Sequence, residues 1–380
     1  MKMHDIVFIG AGASALMAAS HLLDKDVALI ESNAKIGAKI LISGGGKCNL
    51  TNRHATEHNY LGDEAFVKTV FSKWSPKETI AFAKAYDIKL EEREHGQLFC
   101  ARSAKELTEV FAHINRKHTF YLNTKVLHVR KTDEYFNIET SNGTIGAKRL
   151  VVASGGLSYA SIGASDIGYE IAKNFGHSIV TPSPALVGLT LQKEQFWMKD
   201  LSGIALNVSL HVEGKVFNEN LLFAHKGISG PAVLSGSLYW KKGALSIDFL
   251  PHIDSLEMLF KTQGKKQIST ALTLPKRFTK AFLEASGMED KVLSKLNALE
   301  KEMLLSLKNY MFSPAGNFGY TKAEATKGGV CTDEIELVTM QSKLCKGLYF
   351  IGEVLDVTGE LGGFNFQWAF ASGVCVSRAL

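Results

Sequence analysis

Cysteine is scarce in this chain, long apolar runs are missing, and charge of one sign is nowhere gathered into blocks. Each shortage closes a class of explanation. Of 380 residues only Cys48, Cys100, Cys331, Cys345 and Cys375 are cysteine, an odd and widely spaced set with no C-x-x-C or C-x-x-x-x-C pair. Such spacing argues against a zinc site and against a disulfide-reductase dithiol, so no metal ligand set is expected. No apolar run reaches the roughly 20 residues a membrane span needs, and the first residues enter a strand instead of a charged-then-apolar signal segment. The expectation is a cytoplasmic protein without a membrane partner. Lysine and arginine (43) exceed aspartate and glutamate (38) by only five. They look scattered among acids, which argues against a nucleic-acid partner. No internal repeat and no low-complexity stretch is present.

What is there is apolar and glycine-punctuated. Hydrophobic residues make up 46% of the chain, enough to bury a large core in two or three domains. The informative stretch comes first. An apolar run, Asp5 to Ile9, leads into Gly10-Ala-Gly12-Ala13-Ser14-Ala15, an alanine-rich helical segment, and a second apolar run, Val27 to Ile30, that ends in Glu31 and Ser32. This is strand, tight turn, helix, strand, acid. Gly10 permits the sharp turn, Gly12 lets the backbone approach a pyrophosphate, and Ala15 still allows close helix-to-strand packing. The helix N-terminus suits the phosphates, while Glu31 is placed to accept hydrogen bonds from ribose hydroxyls and to repel a 2′-phosphate. A bound dinucleotide should therefore be FAD or NAD and not NADP.

Further along, capping boxes at Ser75-Pro-Lys-Glu78, Ser103-Ala-Lys-Glu106 and Asp254-Ser-Leu-Glu257 open helices. Residues 89–100 read as a strand or hairpin. Segments 125–130, 135–140 and 144–152 read as three strands, the last two joined by Asn142-Gly143. The third strand empties into Ala153-Ser154-Gly155-Gly156. A meander in that place favours a flavin domain over a simple NAD domain, with Val126 offering main-chain groups to adenine as other flavin meanders do. Residues 186–250 alternate as a small β domain; residues 254–307 look helical, with Leu293, Leu296, Leu299, Met303, Leu304 and Leu307 as a packing stripe. The expected division is an FAD-binding domain from 1–185 and 338–380, a β domain from 186–252 and 308–337, and a helical insertion at 253–307.

The tail carries a second cofactor motif. A strand delivers Gly352-Glu353, and Gly362-Gly363 then opens a helix at Phe364-Asn365. Glu353 is placed for a ribityl hydroxyl or the pyrophosphate's water shell, and the helix aims its positive end at the N1 and C2-oxygen side of a flavin, where the reduced ring is negative. Between the two motifs, the glycine-rich stretch Ser43 to Asn52 (Gly45, Gly46, Lys47, Cys48 and Asn49 among its residues) can wrap phosphate or ring with backbone N–H groups. Lys47 would add charge there, and Lys39 is close enough after the second strand to meet the adenosine phosphates.

These stretches, with His225-Lys-Gly-Ile-Ser-Gly-Pro-Ala232, Ala325-Thr-Lys-Gly-Gly-Val330 and Thr339-Met-Gln-Ser-Lys343, resemble the bacterial NAD(P)/FAD-dependent oxidoreductases of the aminoacetone-oxidase or 3-dehydro-bile-acid Δ4,6-reductase type. The resemblance spans essentially the whole chain. It implies an α/β fold: an FAD-binding Rossmann-like domain of the glutathione-reductase type built from both chain ends, a β-barrel-like domain, and a helical domain inserted in it. The chain departs from that pattern at Lys47 (usually Arg), at Gln97-Leu-Phe-Cys100 (usually Arg-Val-Phe-Pro), at Ala160 (usually Pro) and at Gly163-Ala-Ser-Asp-Ile-Gly168. The last two flank the expected substrate side.

The implied activity is FAD-dependent reduction of an activated carbon–carbon double bond in a small molecule, with NAD(P)H as a transient electron donor. An amine oxidase using O2 and a flavin-dependent RNA-modifying protein are the competing readings. Candidates for proton work are Tyr159 after the Gly155-Gly156 turn, His225 in its loop, and His177 at a helix end.

Overall fold

The structure, a computed structural model, describes residues Met1–Leu380. It separates into two units, one from Met1–Pro184 with Glu324–Leu380, the other from Ala185–Ala323. Both chain ends meet in the first unit. Its main sheet runs in the order Thr119–Tyr121, Val27–Ile30, Lys2–Ile9, Gly143–Val152, Phe136–Thr140, Val126–Lys131, and Leu348–Phe350 also pairs with Gly143–Val152. The pairings of Lys2–Ile9 with its two neighbours, of Val27–Ile30 with Thr119–Tyr121, and of Gly143–Val152 with Leu348–Phe350 are parallel. The short strands Val27–Ile30 and Leu348–Phe350 are buried at every position, which is why they read as unbroken apolar runs.

The meander is antiparallel. Gly143 faces Thr140 across the turn anticipated at Asn142-Gly143, and a bulge interrupts the register between Val126 and His128. The helices Ala13–Ala19 and Phe364–Ser377 pack so closely that a Cβ on Gly373 would lie 2.5 Å from the Ser14 carbonyl oxygen. A second, three-stranded sheet pairs Asn49–Asn52 with Gln97–Cys100, and the latter with Leu90–Glu92. Helices Pro76–Ala85 and Ala104–Ile114 start at Ser75 and Ser103, each accepting from the backbone N–H two residues on.

In the second unit all seven strands are antiparallel, in the order Tyr310–Phe312, Leu245–Asp248, Ala205–Val212, Lys215–Ala224, Gly227–Ser229, Leu189–Thr190, Gly316–Asn317. The first and last of these are consecutive in the chain. The connection from Phe312 to Gly316 can reach at most about 14 Å, so the sheet has to curl until its edges approach. That is a barrel-like sheet. The helical stretch shares one apolar core with it, through Leu256, Ile268, Phe278, Phe282 and Leu304.

Several expectations shift. Residues 324–337, assigned from sequence to the β domain, fold with the first unit, where Ala325–Val330 pairs with Ile179–Ala185 and Val330 bridges Leu355. The third capping box begins one residue late: Ser255 accepts from the Met258 N–H, and Asp254 does not cap. The leucine stripe is broken, since only Ala298–Leu305 is α-helical and Leu299 is 60% exposed.

Candidate flavin-binding site

The N-terminal turn is held by backbone. Gly10 has φ +102°, and a Cβ there would lie 2.5 Å from the Ala153 carbonyl oxygen, so only glycine fits. Ala153 itself donates to the Ile9 carbonyl, tying the Ala153-Ser154 turn to the Gly10 turn. Gly12 is the opposite case: a Cβ would meet nothing within 4 Å, and as N-cap it supplies no side-chain bond to the helix Ala13–Ala19. The first N–H groups of a helix have no partner within it, and here no side chain caps them. Ala15 and Ser14 are buried, and Gly352 (φ +74°) approaches Ser14, whose Oγ would lie 2.7 Å from a Cβ added there.

Glu31 is buried and fully engaged. Its Oε2 accepts from the Ala11 N–H at 3.0 Å, and its Oε1 accepts from the Asn33 N–H, the Asn33 side chain and Ser32. The carboxylate therefore braces the glycine turn as well as facing the end of its strand. Val126 opens the strand that follows Thr124, whose N–H donates to the Glu31 carbonyl at 2.9 Å. Asn33, which sequence reasoning missed, also reaches the Ile162 carbonyl at 2.9 Å.

The two lysines expected at phosphates are committed to carboxylates. Lys39 Nζ lies 2.7 and 3.0 Å from the two Glu353 oxygens, a pairing across 314 residues, and Lys47 lies 3.0 Å from Glu91. The Lys39–Glu353 pair neutralises itself, and Lys47 shares Glu91 with Arg93, which lies 2.7 Å from the other carboxylate oxygen. Glu353 is likewise occupied, also accepting from the Thr326 N–H at 2.9 Å. Thr326 fills the space at Gly156, 2.6 Å from where a Cβ would sit, and its Oγ1 accepts from the N–H groups of Leu157 and Ser158. Gly155 has φ +76°. Ser154 is turned toward Gly168.

The Ser43 loop is a run of left-handed backbone: φ is +55°, +65° and +85° at Gly44, Gly45 and Gly46, and +48° at Cys48. A Cβ on Gly45 would meet nothing within 4 Å. Consecutive N–H groups in such a loop form an anion-binding concavity. Asn49 donates to Gln97 at 2.8 Å, but its buried Oδ1 has no partner. That orphaned acceptor stands 2.7 Å from where a Cβ on Gly363 would be, and Gly363 (φ +94°) caps the helix Phe364–Ser377 without a side-chain bond. Asn365 is an anchor, exchanging two 2.9 Å hydrogen bonds with the Gly359 backbone, and Phe364 is buried between Gly359 and Tyr60. Gly362 has φ +128°.

Sequence spacing hid one pairing entirely. Cys48 and Cys100 meet across the Asn49–Asn52 and Gln97–Cys100 ladder, where the Cys100 N–H donates to the Cys48 carbonyl at 3.2 Å. The thiol of Cys100 and burial together push the Cys48 thiol well up, so it stays protonated.

Of the proton-transfer candidates, Tyr159 stays with the glycine turns. Its backbone is left-handed (φ +67°), the Lys39 ammonium lies 5.8 Å from its ring centroid, and burial with the charges of Glu324 and Glu353 raises its pKa. It is a phenol, a donor, at neutral pH. Glu324, missed from sequence because no motif marks it, has its own carboxyl pushed up by burial against the opposing pull of Lys39. His177 is ruled out by its bonds. Nδ1 pairs with Glu334 at 3.1 Å, Nε2 with Ser342 at 2.7 Å, and the ring packs on Phe350, so neither nitrogen is free for substrate. His225 is exposed in the second unit, at the turn between Lys215–Ala224 and Gly227–Ser229.

FAD fits these residues: two uncapped helix N-termini, two open glycine positions and an unpaired buried acceptor are tied together by the close approaches just described. Comparison with known proteins agrees. The family profile described as the HI0933-like protein Rossmann domain matches residues 4–379. The chain belongs to the HI0933-like family. Two curated proteins named ribosomal RNA dihydrouridine synthase, from Escherichia coli (strain K12) and Haemophilus influenzae, are each 38% identical to it, over 100% and 98% of this chain and 98% of their own length. A 3-dehydro-bile acid delta(4,6)-reductase of Clostridium scindens is 30% identical over 99% of both chains. Among solved structures, a 3-ketosteroid delta1-dehydrogenase from Sterolibacterium denitrificans superposes with a TM-score of 0.52 over the whole of both chains at 12% identity, which is a likeness of fold. This HI0933-like chain is an FAD-dependent oxidoreductase with a Rossmann fold, and none of its helices is long and apolar enough to cross a membrane.

Proposed function

We propose that this chain reduces uridine in ribosomal RNA to dihydrouridine, with NAD(P)H as the electron source. The observation that carries the reading is the 38% identity, over essentially the full length of both chains, to two enzymes named for that reaction. The chemistry joins it to what the sequence implied. The C5=C6 bond of uracil is conjugated with the C4 carbonyl, so it is an activated double bond of the same class as the one in the bile-acid relative's name. Sequence reasoning set nucleic acid aside because charge looked evenly scattered; the relatives' names reverse that weight.

FAD held by these residues would supply the hydride chemistry, with the reducing equivalents coming from NAD(P)H, which leaves as NAD(P)+. The electron-poor β carbon, C6, is where a hydride adds, and C5 then needs a proton. Tyr159, a neutral phenol held beside the Lys39 ammonium and the Gly155-Gly156 turn, is the residue proposed to give a hydrogen bond or that proton. Gly10, Gly12, Ala13, Gly45, Gly46, Gly362 and Gly363 would face the cofactor with backbone, while the Lys39 to Glu353 pair would hold Tyr159's side of the site in place.

The experiment is anaerobic. Enzyme reduced by NADPH or NADH is mixed with rRNA from cells lacking the gene, or with a steroid dienone, and flavin reoxidation and nucleosides are followed. Reoxidation by rRNA with a nucleoside two hydrogens heavier than uridine supports the proposal. Reoxidation by the dienone alone replaces it with the small-molecule reading that the bile-acid relative favours.

A further inference from the structure

The surplus of five positive charges belongs wholly to one unit. Residues 185–323 hold 17 basic and 12 acidic side chains, whereas the first unit holds 26 of each. Inside the second unit the surplus is local. From Lys261 to Lys280 there are six basic residues and no acid, and all six are exposed: Lys261, Lys265, Lys266, Lys276, Arg277 and Lys280.

The fold adds to this stretch. Ser294 N–H donates to the Gly264 carbonyl at 2.9 Å, Leu293 N–H to Lys266 at 3.0 Å, and Ile268 N–H to Lys291 at 3.1 Å. Lys291 and Lys295 are thereby laid beside Lys265 and Lys266. Buried Ile268, Leu293 and Leu296 hold the paired segments from beneath. Carboxylates answer only part of the charge: Glu300 takes Lys291 at 2.6 Å, Glu284 lies 3.8 Å from Lys280, and Asp290 is turned to Ser269. Lys265, Lys266 and Lys295 have no carboxylate partner. Clustered ammonium groups repel one another unless a polyanion lies over them.

We propose that the surface made by residues 261–280 and 291–295 docks the sugar-phosphate backbone of RNA. The inference rests on the reading of rRNA as substrate. No aromatic side chain is exposed among these residues, Phe278 and Phe282 being buried, so the surface offers no stacking platform. It holds phosphates and leaves base choice to other groups.

The test compares two variants of equal charge change. One is Lys265→Glu, Lys266→Glu, Lys295→Glu; the control is Lys77→Glu, Lys84→Glu, Lys89→Glu, all exposed on the first unit. Fluorescence anisotropy with a labelled RNA hairpin follows binding from about 50 to 200 mM salt. Wild-type affinity should fall steeply with salt. The docking variant should bind at least about tenfold more weakly and show a log–log salt slope shallower by about two to three, with the control much less affected. Lysine-to-glutamine changes at the docking positions should give an intermediate loss, and flavin absorbance and melting temperature should stay unchanged.

A docking variant that binds like wild type, or a control that weakens equally, overturns the inference. Equal sensitivity in binding to anionic phosphatidylglycerol vesicles, with no RNA binding, overturns it in favour of a lipid surface. The function is judged separately by dihydrouridine formation: product with an unaffected docking variant leaves the function standing alone, and cluster-dependent binding without product leaves the docking surface standing alone.

Discussion

The two units solve different problems with different residues. In the first, charge cancels, and what matters is where a Cβ is missing: Gly10, Gly352, Gly363 and Gly373 allow backbone and side chains to approach within distances no larger residue permits. In the second, a helical stretch shares the core of the antiparallel sheet, and lysines collect on the exposed positions of that stretch. Whole-chain charge averaged the two and hid both. Net charge is informative about partners only after the chain has been divided into the units that carry it.

The sharpest way to break this contrast is at Gly10. Gly10→Val places a side chain against the Ala153 carbonyl at φ +102°, and the strain alone costs about 1–3 kcal/mol. Purified variant should be colourless or unfolded, by absorbance and melting temperature, while RNA binding by the second unit is a separate property. Gly363→Ala should weaken flavin retention by the same logic, since its Cβ would fall 2.5 Å from the Thr51 carbonyl oxygen. A variant that keeps its flavin with unchanged affinity contradicts the role of that turn.

Smaller effects follow from the ion pairs. Lys39→Met strands the Glu353 carboxylate, whose side chain is only 18% exposed. Because Lys39 is itself 35% exposed, solvent screening limits the loss to about 1 kcal/mol. The same change should lower kcat for uridine reduction more than it lowers stability, through Tyr159.

His177 gives a pH signature. Burial lowers its pKa from 6.5 despite the opposing pull of Glu334, so the unfolded chain takes the proton first. Its contribution is complete above about pH 6.5 and is lost as pH falls through the lower folded value. Melting temperature should drop on acidification and drop less in His177→Gln, which should retain turnover. The smallest effect concerns thiols: only half-exposed Cys331 should react promptly with maleimide, and Cys48 and Cys100 should wait for unfolding.

Much of the fold was legible because its signals are local. A strand that must be buried on both faces is apolar throughout, a turn that needs positive φ shows glycine, and a helix that needs a cap shows Ser75 or Ser103. The pairings that shape the site are not local. Nothing near Lys39 in sequence announces Glu353, nothing near Cys48 announces Cys100, and Glu324 becomes a neighbour of Tyr159 only when the chain returns from the second unit. The near miss at Asp254 has the same origin: Asp254 and Ser255 are both good caps, and packing of Leu256 decided between them.

Nucleoside mass spectrometry of rRNA from cells carrying and lacking the gene tests the central claim most directly. Deletion should remove dihydrouridine from rRNA, and wild type should restore it where Gly10→Val cannot. Unchanged dihydrouridine content in the deleted cells would contradict the account.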